Sequence, residues 1–112
     1  MTNFHYVVGR PDPEAKELRA RKQSQVQALV GETEVGYLAY GLGPGEDIVS
    51  ITRIETQDPH KRQGCATGLI DALRAGYPDC RVVDGSGDNT NEGDAFLAEM
   101  RSRGKVEPKE DG

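Results

Sequence analysis

The hydrophobic positions of this chain change rhythm near its middle. In the first half apolar and polar residues alternate, as on a strand. Phe4-His5-Tyr6-Val7-Val8 makes a short strand. Leu18, Ala20, Val26, Ala28 and Val30 all fall on even positions, which places them on one side of a strand from about 19 to 30. Asp12-Pro13-Glu14 has the form of a helix start, with Asp as the cap and Pro at the first helical position. The strand period that follows limits it to a turn, or one helical turn, over 12–17. Gly31-Glu32-Thr33-Glu34 is a loop and residues 35–42 are a strand, so 22–42 folds as a β-hairpin. A second turn over 43–47 leads to a strand at 48–56, and three antiparallel strands then stand in a row.

In the second half the period lengthens to that of a helix. Ala66, Leu69, Ile70 and Leu73 share one face of a helix from Gln63 to about Ala75, and Gly76-Tyr77-Pro78 ends it. Residues 79–84 form the next strand. A right-handed crossover requires 81–84 to run parallel beside strand 48–56. After a loop at 85–89, a last helix from 89 to 104 carries Ala95, Phe96, Leu97, Ala98 and Met100 and stops at Gly104. The pattern is an α+β fold, an antiparallel meander followed by a βαβα unit. Residues 1–105 read as a single domain and 106–112 as a polar, disordered tail.

Composition narrows the picture. A chain of 112 residues is one domain, and with 5% aromatics its core must rest on Ile, Val, Leu and Ala. The net charge of −5 is unevenly spread. Residues 31–58 hold six acids (Glu32, Glu34, Glu46, Asp47, Glu55, Asp58) against Arg53, whereas 59–78 hold Lys61, Arg62 and Arg74 against Asp71. A local basic spot in an acidic protein does not make the broad basic face that nucleic acid needs. The acidic remainder suits a cationic acceptor, or serves solubility alone. Cys65 and Cys80 form neither a disulfide framework nor a metal site. No segment is apolar and long enough for a membrane span, and Met1 to Arg10 lacks a signal pattern, so the expected location is cytoplasmic.

The chemistry concentrates in residues 51–70, a strand, a turn and a helix opening on small residues. The first turn of a helix has unpaired N–H groups and a partial positive charge. Gly64 and Ala66 leave that backbone accessible, and Lys61 and Arg62 add full charges. This suits a phosphorylated ligand, although a plain strand–turn–helix corner has the same outline. Cys65 lies where the helix start could lower its pKa, but a small packing residue is the commoner use of that position.

The run Lys61-Arg62-Gln63-Gly64-Cys65-Ala66 resembles motif A of the GNAT superfamily of N-acyltransferases, Arg/Gln-x-x-Gly-x-Gly/Ala, with Lys61 in the first place. The strand 48–56 and the Asp58-Pro59-His60 turn before it, and the strand and helix after it, fit the same scheme over about residues 25–105. The resemblance implies a GNAT-like mixed sheet, truncated after the last helix, before the family's final pair of strands. It implies acetyl-CoA as acyl donor, no metal, an amine acceptor and direct attack on the thioester. The coenzyme would lie on Ile54, Glu55 and Thr56, along the pantetheine arm, and on Lys61, Arg62, Gln63, Gly64, Cys65, Ala66 and Thr67, around the pyrophosphate. The absent strands leave a sheet edge that could pair with a second copy.

The resemblance names no acid or base. Where family members place a glutamate on the central strand, this chain has Ser50 and Thr52, and where they place a tyrosine near the end of the last helix it has Met100. Lys105 stands where an aromatic is expected. Glu55 shares the strand, but alternation turns it to the opposite face unless a bulge intervenes. His60, Tyr37 and Tyr40 are the remaining titratable candidates, each with a simpler structural use. Three readings stay open: an acyltransferase, a catalytically degenerate domain that binds acyl-CoA or a protein partner, and an unrelated α/β interaction domain.

Overall fold

The computed structural model describes residues 4–12, 14–17, 23–43, 47–56, 64–85 and 91–107, with side chains from 95 onward in the last segment. Seven elements follow in order: β1 (His5–Val8), β2 (Gln23–Val30), β3 (Thr33–Leu42), β4 (Ile48–Thr56), α1 (Cys65–Gly76), β5 (Arg81–Asp84) and α2 (Asn91–Ser102). The strands form one sheet in the order β1-β2-β3-β4-β5. The first four pair antiparallel and β5 joins β4 in parallel, so the meander and the crossover are both present. The alternating apolar positions called for these strands, and no strand required a long-range swap.

The expected loop at 31–34 is tighter than its sequence suggested. Val30 already pairs with Thr33, so only Gly31 and Glu32 make the turn. The described residues of 12–17 are turned back on Asp12, with Ala15 N–H donating to Asp12 O at 3.1 Å and Glu14 N–H to the Asp12 carboxylate at 3.0 Å. The expected strand start at 19–22, the helix start at Gln63, and most of the loops at 43–47 and 85–89 lie outside the described residues.

Opposed residues on neighbouring strands share a face. One face carries Tyr6, Val8, Val26, Ala28, Leu38, Tyr40, Val49, Ile51, Ile54 and Val82, and α1 covers it with Cys65, Leu69, Ile70 and Leu73. Leu97, Met100 and Val106 complete the same core. Two right-handed crossovers advancing in one direction across a sheet put both helices on one side, and Lys105 beyond α2 indeed reaches Asp71 of α1 at 3.0 Å. The other face carries Gln27, Glu34, Tyr37, Arg53 and Glu55.

The domain does not end at 105. Gly104, at φ 74°, turns the chain back after α2. Val106 is then 2% exposed, and Glu107 joins the outer edge of β5 through Glu107 N–H to Val82 O at 2.8 Å and Asp84 N–H to Glu107 O at 2.9 Å. A buried valine and a paired backbone outweigh the polar composition that suggested a tail from 106. Residues 108–112 lie outside the described residues.

Candidate functional site

The site is built around an irregularity in β4. Ala39 opposes Arg53, yet the next residue, Tyr40, opposes Ile51. Thr52 is the extra residue, a β-bulge that reverses the side-chain alternation beyond it. Ser50 and Glu55, five positions apart, therefore share the face away from the helices. The bulge on which the role of Glu55 depended is present, and it brings Glu55 to the side of Ser50. A second bulge places Val35 between the pairs Ala28–Gly36 and Leu29–Glu34, and Val35 enters the core.

The ladder between β4 and β5 ends where the bulge begins. Its last pair is Ile51–Asp84, followed by Gly85 N–H donating to Ile51 O at 2.9 Å, while β4 continues to Thr56. Among the described residues the two parallel strands are thus paired along one half of β4. At Gly85 an added Cβ would stand 1.9 Å from the Ser50 hydroxyl, so only glycine lets that side chain lie against the end of β5.

At the same end of β4, α1 begins. Gly64 is its cap, at φ 86°, with no side chain bonded to the helix start and no acid in the first turn. The first helical bond runs from Gly68 N–H to Gly64 O at 2.9 Å. The N–H groups of Cys65, Ala66 and Thr67 therefore have no intrahelical partner, and they carry the positive end of the helix dipole. A Cβ on Gly64 would meet nothing within 4 Å, so glycine serves the backbone conformation there and leaves the approach clear.

The predicted binding residues divide accordingly. Ile54 points into the core and Thr56 lies beside Gly36, so both side chains belong to the helix-covered face. Glu55 is on the open face, opposite Tyr37. Gly64, Cys65, Ala66 and Thr67 form the helix start. Lys61, Arg62 and Gln63 lie outside the described residues, as do Asp58, Pro59 and His60.

For two candidate reactive groups the simpler structural use prevails. The Cys65 thiol is buried beneath the helix, near Gly36, and burial pushes its pKa up, contrary to the lowering that a helix start would give. The helix N-terminus acts on groups in line with its free N–H groups, whereas this side chain turns down onto the sheet. Tyr40 is removed from the site as well. Its hydroxyl is bonded to Gly9 O and lies 2.7 Å from the Tyr77 hydroxyl, while Arg10 stacks over the Tyr77 ring at 4.8 Å. Burial first, then Tyr77, holds Tyr40 protonated far above the usual tyrosine range. Met100 is fully packed in the core.

Tyr37 is the tyrosine that remains beside the site. Its pKa is raised by burial first and then by its hydrogen bond to Glu55. Arg53 lies 3.6 Å from the same carboxylate. On the adjacent strand Gln27 donates to Glu34 at 3.4 Å. Across the sheet, Asp84 is buried and held by Arg101 of α2, which ties that helix to the end of β5.

The five-stranded mixed sheet and its two helices have the fold of solved acetyltransferases, among them a GNAT-family protein of Streptococcus pneumoniae TIGR4 at 21% identity and a TM-score of 0.53. The solved structures it is similar to include the ribosomal-protein-alanine N-acetyltransferase of Brucella melitensis biovar Abortus 2308, at 18% identity and a TM-score of 0.60, covering 71% of this chain and 62% of that one. An aminoglycoside acetyltransferase from an uncultured soil metagenomic sample matches at 23% identity and a TM-score of 0.56, over 80% of this chain and 60% of its own. AAC(6')-Iy, solved with a bisubstrate analogue containing CoA, matches at 15% identity and a TM-score of 0.51, over 85% and 67%. The chain thus spans about six tenths of the length of the first of these. No protein-family model and no curated protein matches it.

Proposed function

We propose that the chain binds acyl-CoA and transfers the acyl group, most simply acetyl, to a primary amine by direct attack on the thioester. The observation that carries this reading is the meeting, at one end of β4, of a bulge, the end of the β4–β5 ladder and a left-handed glycine opening α1. The helix start, with Lys61 and Arg62 before it in sequence, suits the pyrophosphate. The main chain of Ile54, Glu55 and Thr56 suits the pantetheine arm, and an N–H there would polarise the thioester carbonyl. Holding donor and acceptor in line at the splay would supply much of the rate. Fold likeness supports this class of chemistry without fixing it.

A second reading is a domain that binds the coenzyme without turnover. Its support is the burial of Met100 in the core, where the family's proton donor would stand, together with Ser50 and Thr52 in place of a glutamate. Titration calorimetry with acetyl-CoA, coenzyme A and ATP tests what the two readings share. Both coenzymes should bind and ATP should not. Gly64→Trp should abolish binding, because the side chain would fill the pyrophosphate position, whereas Gly64→Asn, which tolerates the left-handed backbone, should bind. Retained binding in Gly64→Trp would refute the assignment. Release of free coenzyme A in the presence of amines then separates the enzyme from the binder.

A further inference from the structure

We propose that Glu55 is the catalytic base, the carboxylate that receives the acceptor's ammonium and takes its proton. The inference rests on the acyl-CoA reading above. Its ground is the bulge at Thr52, which sets Glu55 on the face of Ser50, clear of both helices. The residue whose main chain would line the pantetheine arm then also carries an acid on the side open to an acceptor. Two of the other carboxylates near this end of the sheet are otherwise engaged. Asp84 is on the helix-covered face, held by Arg101, and Glu34 accepts from Gln27.

The surroundings of Glu55 fit that task. Tyr37 stands at the opposed position on β3, and burial first and then Glu55 raise the pKa of its hydroxyl. Among the described residues Arg53 lies 3.6 Å from the Glu55 carboxylate, with the two side chains 46% and 43% exposed. Exposed pairs of this kind are weak, so an incoming ammonium can displace the guanidinium and occupy the same carboxylate.

The step balances without a further reactant. The ammonium gives one proton to Glu55, and the freed nitrogen pair forms the C–N bond at the thioester carbonyl. Collapse breaks the C–S bond, the electron pair leaves on sulfur, and the nitrogen's second proton ends there. Glu55 returns its proton to water, so each turnover yields an amide, a free thiol and one proton.

The test uses the whole chain, acetyl-CoA and two acceptor probes. The first is 1,3-diaminopropane, an ammonium at neutral pH, and the second is hydroxylamine, which is uncharged there and needs no base to free its electron pair. Glu55→Gln should lower kcat/KM for the diamine by about 100-fold or more and leave transfer to hydroxylamine little changed. Glu55→Asp should recover part of the loss, and both variants should retain thermal stabilisation by acetyl-CoA. Equal loss with both nucleophiles, or no loss with either, would overturn the role of Glu55. A wild-type chain that is stabilised by acetyl-CoA yet acylates neither probe would overturn it too and leave the binding reading. Absence of stabilisation in the wild type would instead remove the acyl-CoA reading on which the inference stands.

Discussion

Gly68 and Tyr6 give a direct check on how α1 is seated above the sheet. Replacing glycine by alanine inside a helix normally stabilises by about 1 kcal/mol. At Gly68 the added Cβ would lie 1.9 Å from the Tyr6 hydroxyl and 2.2 Å from the ring carbon bearing it. The ring must leave. It gives up its packing against α1 and its hydrogen bond to Cys65 O, already long at 3.4 Å. Overpacking of this kind costs about 1–3 kcal/mol, which exceeds the helix gain and leaves Gly68→Ala about 1 kcal/mol destabilising. In a Tyr6→Val background the obstacle is gone, and the same change should stabilise by about 1 kcal/mol. The coupling between the two sites is then about 2 kcal/mol. Thermal unfolding of the four variants measures it, since 1 kcal/mol moves Tm by roughly 4–8 °C in a domain near this size. Gly68→Ala should lower Tm in the parent and raise it in Tyr6→Val. Equal shifts in both backgrounds would refute the placement of Tyr6 over the first turn of α1.

Val106→Ala should destabilise by about 2 kcal/mol, the cost of emptying a buried valine site; urea unfolding would show no change if 106 belonged to a free tail. Gly36→Ala would put a Cβ 2.9 Å from Thr56 Cγ2 and 3.0 Å from Glu55 O. It should lower stability by about 1–3 kcal/mol and weaken acetyl-CoA binding, and calorimetry showing unchanged affinity would mean that the tip of β4 is not part of the site. Stability should fall in alkali. Burial raises the folded-state pKa of Cys65, and burial with Tyr77 raises that of Tyr40. Their contribution is complete below the ordinary values of about 8.5 and about 10. It is lost as pH climbs past them, because the unfolded chain ionises first. Urea midpoints should therefore decline over this range, and less steeply in Tyr40→Phe. An identical slope in that variant would count against the Tyr40 assignment.

The strands and helices were legible because each shows its own period. Val26 and Ala28, or Leu69, Ile70 and Leu73, take the faces that their spacing implies. The parallel placement of β5 followed from the handedness of the crossover. The bulge at Thr52 was not legible, because one extra residue in a strand leaves no mark in composition; only the pairing with Ala39 and Tyr40 reveals it. That single residue decides the face of Glu55. Val106 was missed for a related reason. It is an isolated apolar residue among charges, and its burial depends on the direction that Gly104 gives the chain. Cys65 takes the packing use that its position favoured, and the nearness of Gly36, not the motif, specifies where its side chain lies. The small residues at Gly36, Gly68 and Gly85 carry signals that spacing alone cannot interpret, because each answers a partner distant in sequence.

The central claim is that the helix start at Gly64 and the splayed half of β4 form an acyl-CoA site. Thermal unfolding with and without acetyl-CoA, with coenzyme A and ATP as controls, tests it most directly. Ligand at a hundredfold its dissociation constant stabilises by about 2.7 kcal/mol, a shift of roughly 10 °C or more in a domain near this size. The account predicts that shift with both coenzymes and none with ATP, and an unchanged Tm at millimolar coenzyme would contradict it.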